Sequence, residues 1–331
     1  MKHRICGSRA AAVLAPALLL AAWLVIPRPA SASTLSSAVI GMFPQDVGEF
    51  WYADLKTARK FPWFAQLRDQ LMPEKFRQCE QFLSSAGLDP NTLVDEAAWG
   101  VINASGGGQD IVGVALGTFN PSSSEDRFKQ QKLAMRDVHG YHVYAYNGGQ
   151  SLGDFEFAFI DNNTIAFGHR SALEKLIDVR RGYAQSVFLN NKVYPLIDEM
   201  NGSGLVWAVL DQDDAHLGMR QLVPQASQFP QAAPLISRIR AMTVSFTADG
   251  GLDARFQTVC GSPDDANLLG AALQAAILYQ RYQNAQKNPD MATLLDQASV
   301  KPSGDRLRVE LSASQDQLLA LIRDHAFVVK M

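Results

Sequence analysis

Apolar and polar positions alternate along this chain with two periods, one of two residues and one near 3.6, and they mark out strands and helices in turn. The first strand is expected over Glu49–Leu55, where Phe50, Trp51 and Tyr52 crowd together. Helical text follows from about Thr57 to Ala86, interrupted at Pro62 and Pro73, whose rings remove backbone donors, and stopped by Gly87. Strands Ala97–Asn103 and Asp110–Thr118 flank Gly106-Gly107-Gly108, and a glycine run that accepts positive φ reads as a hairpin loop. Ser122 and Glu125 read as a capping box for a helix from Ser124 to about Met135. Tyr141–Asn147 alternates as a strand. Phe155–Ile160 and Thr164–Gly168 flank a second hairpin turn at Asp161-Asn162-Asn163, with Phe155, Phe157 and Phe159 sharing an inward face. Ser171 with Glu174 predicts a helix start, Gly182 its end, and a further helix spans Asn191–Met200.

Asn201-Gly202-Ser203-Gly204 breaks the pattern, after which it begins again. Leu205–Leu210 is an apolar strand, and a helical or irregular stretch runs from about His216 to Arg238. Ala241–Thr247 and Leu252–Cys260 flank Asp249-Gly250-Gly251, a hairpin turn. Ser262 as N-cap, Pro263 at the first helical position and Asp265 open a long helix. Arg306–Ser312 alternates, with Leu307, Val309 and Leu311 inward, and Ser314 caps a last helix over Gln315–Asp324. Both halves read strand, helix, paired strands, helix, strand, helix, with one hairpin inserted in the first. The pattern predicts an α+β fold of two related subdomains, 33–202 and 203–331, each an antiparallel sheet with helices on one face in a ferredoxin-like order.

The N-terminus carries a different signal. Lys2, Arg4 and Arg9 precede an apolar run from Ala10 to Ile26, and Ala30-Ser31-Ala32 follows as a small-x-small cleavage pattern. Residues 1–32 read as a signal peptide cut after Ala32; the rival reading is an uncleaved anchor, although Pro16 interrupts the run and its length sits at the lower edge for a bilayer. Cys6 lies before the run, where a lipid-modified cysteine has no place, and the leader lacks an Arg-Arg pair. Removing Lys2, Arg4, Arg9 and Arg28 lowers the basic count from 30 to 26 against 33 acidic residues, a balance of −7. That surface argues against a nucleic-acid partner, which needs a basic footprint, and no later stretch is apolar enough to span a membrane. Two cysteines stay with the body, Cys79 and Cys260; they pair in an oxidising compartment or stand as two buried thiols.

Several segments together resemble a family of uncharacterised bacterial exported proteins. They are Phe43-Pro44-Gln45-Asp46 leading into Trp51-Tyr52-Ala53-Asp54-Leu55, and Ala86-Gly87-Leu88-Asp89-Pro90 before Asp95. Asn163-Thr164-Ile165-Ala166-Phe167-Gly168 running into Ala172-Leu173 and Ile177-Asp178, and later Asp265-Ala266-Asn267-Leu268, continue the likeness over most of the body in order. The resemblance implies export and a duplicated α+β body, and it brings no activity and no catalytic residues with it.

Candidate chemistry is sparse. Gly149-Gln150-Ser151-Leu152-Gly153 matches the G-x-S-x-G of serine hydrolases, but that motif needs a strand, a strained turn and a helix, and here a strand follows. His169, His216 and His325 are the downstream bases such a serine would need. Asp211, Asp213, Asp214 and His216 form the densest set of possible metal ligands, yet the central glycine and distal glutamate of a calcium loop are missing; capping aspartates on a strand-to-helix turn are the alternative. His139 and His142 stand three apart on a strand, on opposite faces. Gly106–Gly108 lacks the lysine and hydroxyl of a phosphate loop, and neither a zinc pattern nor a dinucleotide loop occurs, so no cofactor is expected. Asn103, Asn162 and Asn201 open glycosylation sequons that matter only in a glycosylating host. Trp63 and Phe64, behind Phe61 and Pro62, are either an exposed anchor or core. With no catalytic, cofactor or metal residue assigned, the sequence favours a periplasmic or secreted non-enzymatic protein. Its partner would be an envelope or extracellular protein or a small ligand. An exported hydrolase with a site assembled from distant residues and a structural envelope protein are the alternatives.

Overall fold

Strand β1 (Val47–Asp54) takes the central place because six of its eight residues are buried and both of its edges are paired. In the computed structural model, which describes residues 33–71, 77, 80–81, 83–84, 87–103, 108–145, 155–222 and 232–324, it lies between β2 (Val94–Asn103) and β8 (Val206–Leu210), antiparallel to both. The other strands are β3 (Gln109–Gly117), β4 (Ala134–Val138), β5 (Tyr141–Ala145), β6 (Phe155–Asp161), β7 (Thr164–His169), β9 (Ile239–Thr247), β10 (Gly251–Cys260), β11 (Ser299–Ser303) and β12 (Arg306–Ser314). They join in one sheet of order β11-β12-β10-β9-β8-β1-β2-β3-β7-β6-β5-β4, continuous across the 202/203 division and antiparallel at every pairing.

The helices are α1 (Ser37–Ile40), α2 (Leu55–Ala58), α3 (Phe64–Leu71), α4 (Pro90–Leu93), α5 (Pro121–Gln130), α6 (Arg170–Arg181), α7 (Tyr194–Met200), α8 (Gln212–Leu222), α9 (Ala232–Ile236), α10 (Pro263–Asn284), α11 (Pro289–Asp296) and α12 (Gln315–Arg323). The protein is therefore α+β, and among the described residues no helix is long and apolar enough to cross a membrane.

Helices cover both faces of the sheet, where one face was expected, because successive strand residues point to opposite sides and both sets here are apolar. Val143 and Ala158 join Phe50, Trp207 and Leu173 of α6 in one core. Their neighbours Tyr144, Phe157 and Phe159 pack on Phe128 of α5 in another. In the same way Trp207 and Val209 share a core with Ile197 of α7, while Ala208 and Leu210 lie with Ala266 and Leu269 of α10. Trp63 is core and not an exposed anchor: it is buried, its ring lies 5.4 Å from that of Phe61, and it packs with Leu318 and Ile322 of α12. The outer side of α10 leaves Leu268, Leu278, Tyr279 and Tyr282 exposed, so that helix is apolar on two sides.

Three expected helix starts are displaced, two of them by an asparagine that takes the first amides. Asn120, not Ser122, opens α5, its Oδ1 accepting from Ser123 N at 3.1 Å, and the helix ends at Gln130. Lys132, at φ +56°, turns the chain there, and Met135 runs on into β4 opposite Tyr144. Ser171 does not cap α6; His169 occupies the N-cap position without a side-chain bond, and Ser171 Oγ donates to Asp110 at 2.6 Å. Gly182, at φ +80°, does end α6. Asn190 Oδ1 takes the amides of Lys192 and Val193, which delays α7 to Tyr194. The starts at Ser262 and Ser314 form as read, the latter as a complete capping box.

Candidate functional site

The Asp211–His216 cluster serves the fold. Asp211 N–H donates to Gly48 O at 2.8 Å, and Asp211 Oδ1 accepts from the amides of Asp213 and Asp214 at 3.0 and 3.1 Å, capping α8. Asp214 is 4% exposed, and Gln109 Nε2 donates to its Oδ1 at 2.8 Å. Its carboxyl and that of Asp211 converge over Gly48, where a Cβ would collide with Asp214 Oδ2. Burial, with Asp211 and Glu49 close by, pushes the Asp214 carboxyl up to about 7. Burial raises Glu49 as well, against the pull of the Trp51 indole N–H. His216 turns away, its Nε2 lying 2.9 Å from Ile239 O. Among the described residues no three His, Cys, Asp or Glu side chains are disposed to share a metal ion.

The histidines are likewise dispersed. His139 Nε2 meets Asp178 at 2.9 Å and His142 Nδ1 meets Glu125 at 3.3 Å. A serine, an aspartate and a histidine do come together at Ser171, Asp110 and His169, a grouping invisible from sequence spacing. Their connections are wrong for nucleophilic catalysis. Ser171 Oγ donates to the carboxylate directly, and His169 Nδ1 accepts from Ile111 N–H at 2.9 Å, so no imidazole stands ready to take the serine proton. Ser151, His325 and Cys79 lie outside the described residues. Cys260 is a buried free thiol whose ionisation burial pushes up.

A cavity of about 620 Å³ opens at the start of α5. Leu88, Leu93 and Phe119 give it an apolar side. The opposite side is built by the Asn120-Pro121-Ser122-Ser123-Ser124 run. Pro121 has no N–H, Ser123 N is held by Asn120 Oδ1, and Ser124 N bonds Asn120 O at 3.0 Å. The Ser122 amide meets no acceptor among the described residues, and the first turn of α5 carries no acidic side chain. Ser124 is 5% exposed and lines the cavity. One turn on, Arg127 also lines the cavity, with its guanidinium laid against Gly87.

No carboxylate among the described residues pairs with Arg127. The nearby acids are engaged elsewhere: Glu125 with His142, Asp126 with Lys129 at 3.7 Å, Asp89 with Asn91 N at 3.0 Å, and Asp161 with Asn163 N at 2.8 Å. Gly87 matters twice. Its φ is +81°, and a Cβ there would collide with Arg127 Nη1. Gly87→Ala is expected to lower the unfolding free energy by about 1–2 kcal/mol in urea titrations and to displace the guanidinium. Sequence reading saw Gly87 only as a helix stop and Ser122 only as a cap.

Comparisons with known proteins add little to this geometry. No family model matches the chain, and no curated protein matches it. A solved structure similar in outline, crystal form I of TP0453, aligns with a TM-score of 0.49 and 13% identity, over 89% of this chain and 100% of that one.

Proposed function

We propose that this is an exported, non-enzymatic binding protein whose ligand occupies the α5 cavity. The observation that carries the reading is the cavity itself, about 620 Å³ lined by Leu88, Leu93 and Phe119 together with the Asn120–Ser124 run and Arg127. Ligand sites of a few hundred cubic ångströms commonly combine apolar walls with a few convergent polar groups in this way. Residues 1–32 act as the signal peptide, and the body works in the periplasm or outside the cell. The body consists of two related halves, 33–202 and 203–331. In support, β1-β2-β3-β7-β6 and β8-β9-β10-β12-β11 run outward from the shared β1–β8 pair in matching sequence, with β4 and β5 as the inserted hairpin. On this reading each half follows a ferredoxin-like order of elements, with the closing strand doubled into a hairpin.

Two measurements test this. The intact mass of the exported protein should correspond to a chain starting at Ser33; a chain still starting at Met1 defeats the signal-peptide reading. Purified body should bind small molecules without turning over p-nitrophenyl esters. Ester hydrolysis that disappears in Ser151→Ala would replace the binding reading with the hydrolase one.

A further inference from the structure

We propose that the outer side of α10 is where two copies of this protein pair, helix against antiparallel helix, about a twofold axis at Ala275. Leu268, Ala271, Ala275, Leu278 and Tyr282 follow one another at spacings of three and four, with Ala272 and Tyr279 beside them, and all are exposed. That spacing is the seam one helix presents to another. The opposite side of α10 is already used: Ala266 and Leu269 are buried there and pack with Leu307 of β12. Leu268, Leu278, Tyr279 and Tyr282 are 52%, 56%, 56% and 79% exposed, a contiguous apolar strip of the kind that marks an interaction site.

The order of side chains along the seam selects a second copy as the occupant. A twofold axis at Ala275 sets Leu268 against Tyr282 of the second copy, Ala271 against Tyr279 and Ala272 against Leu278. Each large side chain then meets a smaller one, the alternation that lets facing layers interdigitate. Parallel pairing would set tyrosine on tyrosine and alanine on alanine instead. Charge agrees with the antiparallel choice. No charged residue lies between Ala266 and Gln280, while exposed Asp264 precedes that stretch and exposed Lys287 follows it. Each acidic end therefore lies beside the basic end of the other copy, with the helix dipoles opposed. A membrane fits less well, because a helix lying on lipid carries lysine and arginine along its flanks. The flanks here are Asn267, Gln274 and Gln283, and Arg281 is tied to Asp296.

Sedimentation velocity of the mature protein tests the proposal. The seam is about 21 Å long, a small interface, so monomer should give way to dimer between about 1 and about 200 μM. Leu278→Glu should weaken dimerisation by about tenfold or more, since pairing would bury the new carboxylate, and thermal melts should not change. Cysteine variants fix the orientation. Ala275→Cys should cross-link to its own copy under mild oxidation. Leu268→Cys should not, because in the antiparallel pair the same position of the second copy lies about 21 Å away along the axis. A protein that stays monomeric at the highest concentration overturns the proposal, as does a dimer that survives Leu278→Glu or that cross-links through Leu268→Cys and not Ala275→Cys. A monomeric protein that binds phosphatidylglycerol vesicles and loses them in Leu278→Glu would overturn it too, giving the strip to a membrane.

Discussion

Glu156→Ala is expected to lower the unfolding free energy by about 3–5 kcal/mol, the usual cost of removing one partner from a buried ion pair. Glu156 is 1% exposed on β6, and two guanidiniums satisfy it: Arg136 Nη2 donates to Oε2 at 2.6 Å and Arg170 Nε donates to Oε1 at 2.9 Å. Arg136 also bridges to Glu174, so the network ties β4, β6 and α6 together. Alanine at 156 leaves Arg170 without this carboxylate and Arg136 with Glu174 alone. Urea unfolding followed by circular dichroism measures the change. A loss under 1 kcal/mol would mean that the clamp contributes no more than an exposed ion pair, which usually contributes about 0.2–1 kcal/mol.

Asp214→Asn is expected to act in the opposite direction and to depend on pH. In the folded protein the Asp214 carboxyl is raised from its ordinary value of 3.8 to about 7, chiefly by burial. Below about pH 4 both folded and unfolded chains hold the proton, and the group does not affect stability. Between pH 4 and pH 7 the folded chain keeps a proton that the unfolded chain has released, so stability falls as pH rises. Above pH 7 the full penalty remains. One pKa unit corresponds to about 1.4 kcal/mol, and solvent screening and the neighbouring carboxyls reduce the effect, so the asparagine variant should exceed the wild type by about 2 kcal/mol at pH 8 and match it near pH 4. Asparagine keeps the oxygen that accepts from Gln109, which isolates the charge effect. Unfolding curves for both proteins at pH 4, 6 and 8 measure it, and a difference that does not grow with pH would contradict the account.

Local chemistry made much of the fold legible. The turns at Asp161-Asn162-Asn163 and Asp249-Gly250-Gly251 join adjacent strands as read, because their residues tolerate the backbone that tight turns require. Ser262-Pro263 and Ser314 opened helices where expected, since the cap and the helix it serves are neighbours in sequence. Contacts between distant residues were not legible. Nothing near β1 announces that it will pair with β8 across some 150 intervening positions. The expected helix overruns the first two residues of strand β4, Ala134 and Met135, because Lys132 adopts positive φ without glycine's signature. Strand β11, short and carrying Pro302, pairs only with β12 at the sheet edge and leaves little alternation to read.

The candidate site was hidden for the same reason. Ser124 and Arg127 look like ordinary residues of a polar helix until the fold lays both along the α5 cavity. Glu156 resembles any strand glutamate until Arg136 and Arg170 are seen to close around it.

Amide spectra of the ¹⁵N-labelled mature protein, recorded while small aromatic acids, alcohols and phosphates are added one at a time, test the central claim most directly. The account predicts saturable shifts centred on Gly87, Thr118, Ser122, Ser123 and Ser124, the walls of the α5 cavity, with little change along β9 to β12. Shifts scattered over the surface, or none at the start of α5 while other positions move, would contradict it.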